Sequence, residues 1–379
     1  MTTTGKMYVG MDVHKDTVMV AVLPERAPAP TVVKRLPNER VKLRRFFDRL
    51  SQQGEVHACY EASGAGYVLE RGMRAWGHGC EVVAPSLVPK RPGERRKHDQ
   101  RDAIDLARLY RAGELVAIRV PTEAEERVRD LVRCRETFQR EILRSRHYLR
   151  TLLARRGFVY PKTNWTLGHF TWIRRLLSDG ALVDEDVEVA REYLALLEYK
   201  VDRRDELDRR IGELALEPAY RTKVGAIRCF RGLDTQAAMV LATEIGDWRR
   251  FERAPQLMAF QGLVPSEHSS GDRERKGSIT KAGNSHCRHV LVQAAWSYRH
   301  PPRVGLALQR RQQGQPPEVI VHAWKAQKRL HRLFRRIEAR RGGPIAAVAV
   351  ARELSGFLWA TMQPIEAGSE VSDIVHHAA

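Results

Sequence analysis

The chain has 379 residues, and 65 Lys plus Arg against 46 Asp plus Glu leave a formal charge of +19 at pH 7. With 43% hydrophobic residues it can bury the cores of two or three ordinary domains, which excludes a chain disordered throughout. Its longest uninterrupted apolar run, Ile345 to Ala351, falls far short of the roughly 20 residues of a spanning helix, and the N-terminus shows no export pattern, so a cytoplasmic protein outside the membrane is expected.

A charge this positive points to a polyanion as partner, most often nucleic acid. The five cysteines (Cys59, Cys80, Cys134, Cys229, Cys287) form no C-x-x-C pair, so neither a disulfide framework nor a zinc knuckle is expected.

In chain order, MYVGMDV, TVMVAVL and TVVKRL read as three strands of a β-meander. Asn38 can cap a helix through about Gln53, with Val41, Leu43, Phe46, Phe47 and Leu50 facing inward. EVHACYEA is a fourth strand, SGAGYVLERGMRAWG a helix, CEVVAP a fifth strand, and KHDQRDAIDLARLYRAG a helix stopped by Gly113. Residues 1–121 thus predict an α/β domain, a mixed sheet covered by helices. From Thr122 the chain turns to long charged helices, one through the 150s and one from Asp184 to about Leu216. Joined by a connector in the 160s and 170s, they predict an antiparallel, coiled-coil-like hairpin over 122–217. Residues 218–362 predict a mostly helical domain containing the glycine-rich stretch GLVPSEHSSGDRERKGSITKAGN, with PPRVGLALQRRQQGQPP as an irregular linker and 363–379 as a frayed tail. Basic faces at Arg40 to Arg49 and Lys325 to Arg336 are candidates for contacts to nucleic-acid backbone.

Two constellations carry chemistry. Asp12 lies inside a hydrophobic strand, where a carboxylate is costly unless something positive sits beside it. Glu61 ends another strand, and Asp99 and Asp102 are three apart on a helix. Singly, each acid could be a turn former or a salt-bridge partner. Together they suggest an oxygen cage for one or two Mg²⁺ ions acting on a phosphodiester. Spacing alone leaves the pair Asp102 and Asp105 equally open. The second constellation is Ser266, Ser269, Ser270 and Ser278 among Arg273, Arg275, Lys276 and Lys281. A serine attacks phosphate once a base or metal takes its proton and cations neutralise the target. The simpler reading of the same stretch is a basic loop on the DNA backbone. Two His-x-x-Arg stretches, His147 to Arg150 and His300 to Arg303, are of the frequency expected by chance in so Arg-rich a chain.

The segments MYVGMDVHKDTVMVAV, YEASGAGY and KHDQRDAIDLARL resemble the N-terminal domain of the IS110-type (IS110/IS1111) transposases. That resemblance implies a RuvC-like, RNase H-type fold with a D-E-D-D tetrad, which falls on Asp12, Glu61, Asp99 and Asp102 and leaves Asp105 as a neighbour. His98 stands where the family usually has a small polar residue. The stretch EIGDWRRFERAPQLMAFQGLVPSEHSSGDRERKGSITKAGNSHCRHVLVQAAW is similar to the family's C-terminal transposase domain. There a serine just before glycine is the proposed nucleophile, implying Ser270, with adjacent Ser269 as the alternative. Phe230-Arg231-Gly232-Leu233 replaces the usual Pro-Gly-Ile-Gly opening. The resemblance further implies Mg²⁺, donor and target DNA, a structured bridge RNA, and a homodimer or tetramer in which the hairpin is the dimerisation element. Its rivals are a RuvC-like nuclease that uses water, and a non-catalytic nucleic-acid binder.

Overall fold

The computed structural model describes residues 5–89, 98–267 and 276–368, and the chain divides into two compact units, Met1–Pro121 and Thr122–Ala379.

The first unit is built on a five-stranded sheet in the order β3-β2-β1-β4-β5. Its strands are β1 (Lys6–Val13), β2 (Thr17–Pro24), β3 (Val32–Pro37), β4 (Glu55–Glu61) and β5 (Gly79–Val83). β1, β2 and β3 pair antiparallel, whereas β1–β4 and β4–β5 are parallel, so the sheet is mixed. Three helices cover it: α1 (Arg40–Ser51), α2 (Val68–Ala75) and α3 (Asp99–Ala112). Strand side chains alternate between faces. Met7, Val9 and Met11 of β1 join Val56, Ala58 and Tyr60 of β4 in one core with Leu43, Phe47 and Met73 of α1 and α2. The opposite face carries Met19, Ala21 and Cys59 against Ala103, Leu106 and Ala107 of α3. Burial on both faces explains why β2 is apolar almost without a break.

Asn38 does not cap α1. Glu39 holds the cap position without a side-chain bond, and the Asn38 amide instead donates to the carbonyls of His14 (2.9 Å) and Lys15 (3.3 Å). The exposed carbonyls of the β1–β2 turn thus claim the amide, and the turn carrying His14 is braced. Val41 points to solvent, 69% exposed, while Leu43, Phe47 and Leu50 face inward. α3 ends as its sequence predicts, with Gly113 in the left-handed conformation at φ 73°.

The second unit opens with α4 (Glu123–Arg155), started by a capping box between Thr122 and Glu125. The short α5 (Leu167–Leu176) leads to α6 (Asp184–Leu214). Arg135 pairs with Asp208, Lys200 donates to Ser145, and Arg156 pairs with Asp186, so α4 and α6 run antiparallel as a hairpin. The helices α7 (Pro218–Ile227), α8 (Thr235–Ile245) and α9 (Ala254–Phe260) precede a small antiparallel hairpin of β6 (Pro265–Glu267) and β7 (Lys276–Ile279). Then follow α10 (Ser285–Ala295), α11 (Leu306–Gln312), α12 (Pro317–Arg341) and α13 (Gly343–Ala367). Val132 of α4 and Ile211 and Leu214 of α6 share one core with these C-terminal helices.

Two expectations shift. The supposed linker contains α11, held by Gln312, whose buried amide donates to the Cys229 carbonyl at 3.0 Å. α13 continues five residues past 362 because its end is anchored: Glu366 pairs with Lys223 at 2.6 Å and accepts from the Trp248 N–H at 2.7 Å. The remaining tail, 369–379, lies outside the described residues. Among the described residues α13 is the one helix long and apolar enough to cross a membrane. Its Ala347, Val350, Leu354 and Leu358 are fully buried in the protein core, the burial of a central helix.

Candidate active site

Two of the predicted carboxylates, Asp12 and Asp99, meet where two parallel strands end beneath a helix start, while Glu61 and Asp102 lie on the same elements outside that group of donor atoms. Met11 of β1 is level with Tyr60 of β4, so the next positions, Asp12 and Glu61, are neighbours on the face that α3 covers. α3 lies flush on that face because Gly10 has no side chain. A Cβ there would stand 2.1 Å from the Ala103 carbonyl oxygen and 2.4 Å from the Ala107 nitrogen. One turn before Ala103, Asp99 comes down over the strand end.

The resulting cluster is Asp12, His14 and Asp99, whose ligand atoms all lie within 4.8 Å of one another. His14 Nε2 is 3.0 Å from an Asp12 oxygen and 3.7 Å from an Asp99 oxygen. The Arg35 guanidinium from β3 donates to the other Asp99 oxygen at 3.1 Å. All three cluster residues are half-buried, open enough for a phosphate to approach. Two carboxylates and an imidazole suit a divalent cation, and the oxygens favour a hard one.

Asp102 also lies in the first turn of α3. At about 100° per residue it sits roughly 100° around the helix from the sheet-facing Ala103, on the side toward Leu106, whereas Asp105 is about 160° away and turned from the sheet. Asp105 lies 3.8 Å from Arg108. Helical geometry thus turns Asp102 nearer the sheet than Asp105. His14 and Arg35 are members that the sequence reading passes over. For His14 a signal existed, since it follows Asp12 at the strand period of two.

The second constellation centres on the β6–β7 hairpin. Ser266 Oγ donates to the Ser278 carbonyl at 3.0 Å and so is committed to the hairpin itself. Ser269, Ser270, Arg273 and Arg275 belong to the connection between the two strands and lie outside the described residues. Lys276 opens β7, and Lys281 follows it with φ 55°, a left-handed backbone unusual for lysine.

What holds the base of this hairpin is a buried polar cluster. Glu244 of α8, its side chain 1% exposed, accepts two bonds from the Arg133 guanidinium at 2.6 and 2.9 Å. It also accepts from the Asn284 amide at 2.7 Å. Burial raises the Glu244 pKa, but Arg133 and Asn284 more than offset that and hold it below the usual carboxylate range. Asn284 in turn caps α10 through the Cys287 N–H. At Gly283, φ 131°, a Cβ would meet the Phe260 carbonyl at 2.2 Å, so that position needs glycine. The Gly-Asn after the basic stretch is therefore a structural clasp.

The predicted basic faces are solvent-facing. Lys325, Lys328, Arg332 and Arg336 of α12 are exposed opposite the buried Ala323, Ala326 and Leu330, and Arg40, Arg44, Arg45 and Arg49 are exposed along α1.

Comparison with known proteins places both regions within one family. A family model described as Transposase IS116/IS110/IS902 family matches residues 226–306, and an IS110-type DEDD transposase model matches residues 9–156. A putative transposase of Sinorhizobium fredii is 40% identical over 321 residues, 84% of this chain and 78% of that protein. The transposase for insertion sequence element IS1533 of Leptospira borgpetersenii is 31% identical over 341 residues, covering 89% of this chain and 98% of its own. A probable family 20 transposase of Pseudomonas aeruginosa is 25% identical over 292 residues, 76% of this chain and 82% of that protein.

Proposed function

The chain belongs to the IS116/IS110/IS902 family of transposases and is a DNA transposase, and from that premise we propose a metal-dependent mechanism with a serine nucleophile. The first unit is read as an RNase H-like domain in which Asp12 and Asp99, with Glu61 and Asp102 beside them, hold Mg²⁺. The observation that carries this reading is the convergence of Asp12, His14 and Asp99 donor atoms within 4.8 Å at the strand ends. When bound, the cation supplies a Lewis acid that polarises the scissile phosphate and offsets the charge developing on it.

The protein's own residues do the rest. Arg35 keeps Asp99 oriented, and His14 bridges toward both carboxylates. Ser270, with Ser269 as the adjacent alternative, attacks phosphorus. The Oγ–P bond forms as the bond to the leaving deoxyribose oxygen breaks, the serine's hydroxyl proton ending on that oxygen as a free hydroxyl, and the covalent serine–DNA link conserves the bond energy for rejoining. Arg273, Arg275, Lys276 and Lys281 neutralise the phosphate under attack. Acids and serine are more than 150 positions apart in sequence. Strand transfer therefore requires folding or the pairing of protomers to present both to one phosphate, and we assign it to a homo-oligomer paired through the α4–α6 hairpin. A structured bridge RNA supplies sequence recognition, leaving the protein to bind phosphate and helix shape.

The test is an SDS-resistant protein–DNA adduct in cells carrying the protein with its flanking element DNA. The adduct is expected in wild type and absent in Ser270→Ala and in Asp12→Ala. Cleavage that persists in Ser270→Ala with no adduct in any sample makes water the nucleophile. Binding without metal-dependent cleavage removes the enzymatic mechanism altogether.

A further inference from the structure

A cavity of about 560 Å³ opens where α4 gives way to α5, lined by Arg150, Arg155, Tyr160, Asn164, His169 and Trp172. None of these residues takes part in the mechanism above. We propose that this cavity is a binding site for one unpaired nucleotide of a single strand.

Its walls are aromatic. His169 stacks on Trp172 with centroids 5.7 Å apart and planes at 17°. Tyr160 lies 4.7 Å from His169 and 5.3 Å from Trp172. His169 is buried, and the half-buried Tyr160 and Trp172 rings packed on it offer π faces on which any base can stack.

Its polar edge is set by a constrained loop. Trp165 adopts φ 65°, a left-handed backbone that is costly for a bulky residue. In that conformation its N–H donates to His169 Nδ1 at 2.9 Å. Burial lowers the His169 pKa and favours neutral imidazole, so the ring proton resides on Nε2. His169 is thus a hydrogen-bond donor, with the Asn164 amide and the Tyr160 hydroxyl as further polar groups in the lining.

Its rim is cationic. Arg150 is exposed and has no ion-pair partner among the described residues, and Arg155 lines the same opening. Nearby, Arg146 lies over the Trp165 ring at 5.3 Å. Aromatic faces, a polar edge and a guanidinium rim together recognise a planar anion with hydrogen-bonding groups on its edge, which is a nucleotide. A base paired inside a duplex cannot present its face to a cavity, so the nucleotide is unpaired. The site deepens the transposase reading, which makes nucleic acid the available ligand.

The experiment uses the full-length protein with short oligo-dT and oligo-rU strands carrying 5-iodouracil, and a DNA duplex as control. Ultraviolet crosslinks are expected on the peptide spanning Tyr160 to Trp172. Tyr160→Leu and Arg150→Ala are each expected to weaken single-strand binding about five- to tenfold while duplex affinity is unchanged. Arg150 is exposed, so its variant keeps the fold if stacking at Tyr160 proves structural. The oligo-dT and oligo-rU arms separate displaced DNA from RNA as the source of the strand. Single-strand affinity unchanged in Arg150→Ala, or crosslinks only elsewhere, overturns the proposal. So does loss of self-association in these variants with oligonucleotide affinity intact, which would make the cavity a contact between copies. Failure of adduct formation in wild type would sink the serine mechanism without touching these binding measurements.

Discussion

Gly10→Ala tests whether the acidic centre depends on α3 lying flush against β1. The added Cβ would stand 2.1 Å from the Ala103 carbonyl oxygen and 2.4 Å from the Ala107 nitrogen, both backbone atoms that no rotamer change can move. A tolerable carbon–oxygen contact is about 3.3 Å, so α3 must lift or slide by about 1.2 Å. Asp99 is the first residue of that helix and Asp102 lies in its first turn, whereas Asp12 and Glu61 stay with the sheet. The carboxylates would separate by a comparable distance although all are still present. Overpacking of this kind costs about 1–3 kcal/mol of stability. A displacement near 1 Å is enough to slow a positioned reaction about 100-fold. The assay is metal-dependent cleavage of element-end DNA, with circular-dichroism melting to confirm that the variant is folded at the assay temperature. Folded Gly10→Ala protein with wild-type activity would refute the reasoning, because it would mean the helix and strand need not be in register for the chemistry.

Removing the imidazole in His14→Ala should weaken Mn²⁺ binding about tenfold in calorimetry while Mg²⁺ binding changes little, since magnesium prefers oxygen donors; equal losses for both would exclude His14 as a ligand. Lys281→Gly should raise thermal stability by about 1 kcal/mol through relief of its left-handed backbone while lowering affinity for DNA, whereas Lys281→Gln should lower affinity without the stability gain. If Lys281→Gly loses stability, the strained backbone is not what its side chain is held against. Glu244→Gln should cost about 2 kcal/mol in denaturant titration at neutral pH, a buried-pair loss discounted because Arg133 is 39% exposed. The Glu244 pKa is held below its ordinary value near 4.5, so its contribution is complete above that value and fades as pH falls through the folded-state pKa. The gap between wild type and variant should therefore close below about pH 4.5, and a gap that stays constant into acid would contradict the pairing with Arg133.

Which parts of this arrangement are legible in the sequence follows from the range of the forces involved. The strands through Leu23 and the stop at Gly113 are local matters of side-chain alternation and a left-handed cap, and they can be read directly. The unease of Asp12 in an apolar strand is equally local, and it correctly signals a partner. That partner is His14, only two residues on, whereas the partners of other buried or half-buried acids depend on pairing across the fold. Arg35 is 64 residues from Asp99, and Arg133 is 111 from Glu244. No periodicity links such positions, because their meeting is decided by sheet order and helix packing. Asn38 shows the limit from the other direction. It is a good helix cap by type, but two carbonyls of the β1–β2 turn are within reach of its amide, and tertiary geometry overrides the local preference. Gly10 carries a message that a pattern of apolar residues ignores, namely that a glycine inside a strand marks a backbone in close approach.

The location of the carboxylates follows from their mutual repulsion. Anions held within 4.8 Å of one another destabilise the fold unless positive charge is near. In the first unit Arg35 supplies that charge on Asp99, and His14 stands between the two acids. Such a pair of acids is compatible with a divalent cation, which would bind best where they are rigidly held. A sheet end capped by a helix that sits directly on glycine provides that rigidity. The β6–β7 hairpin is clasped at its base by Glu244, Arg133 and Asn284, and that clasp fixes where the hairpin starts.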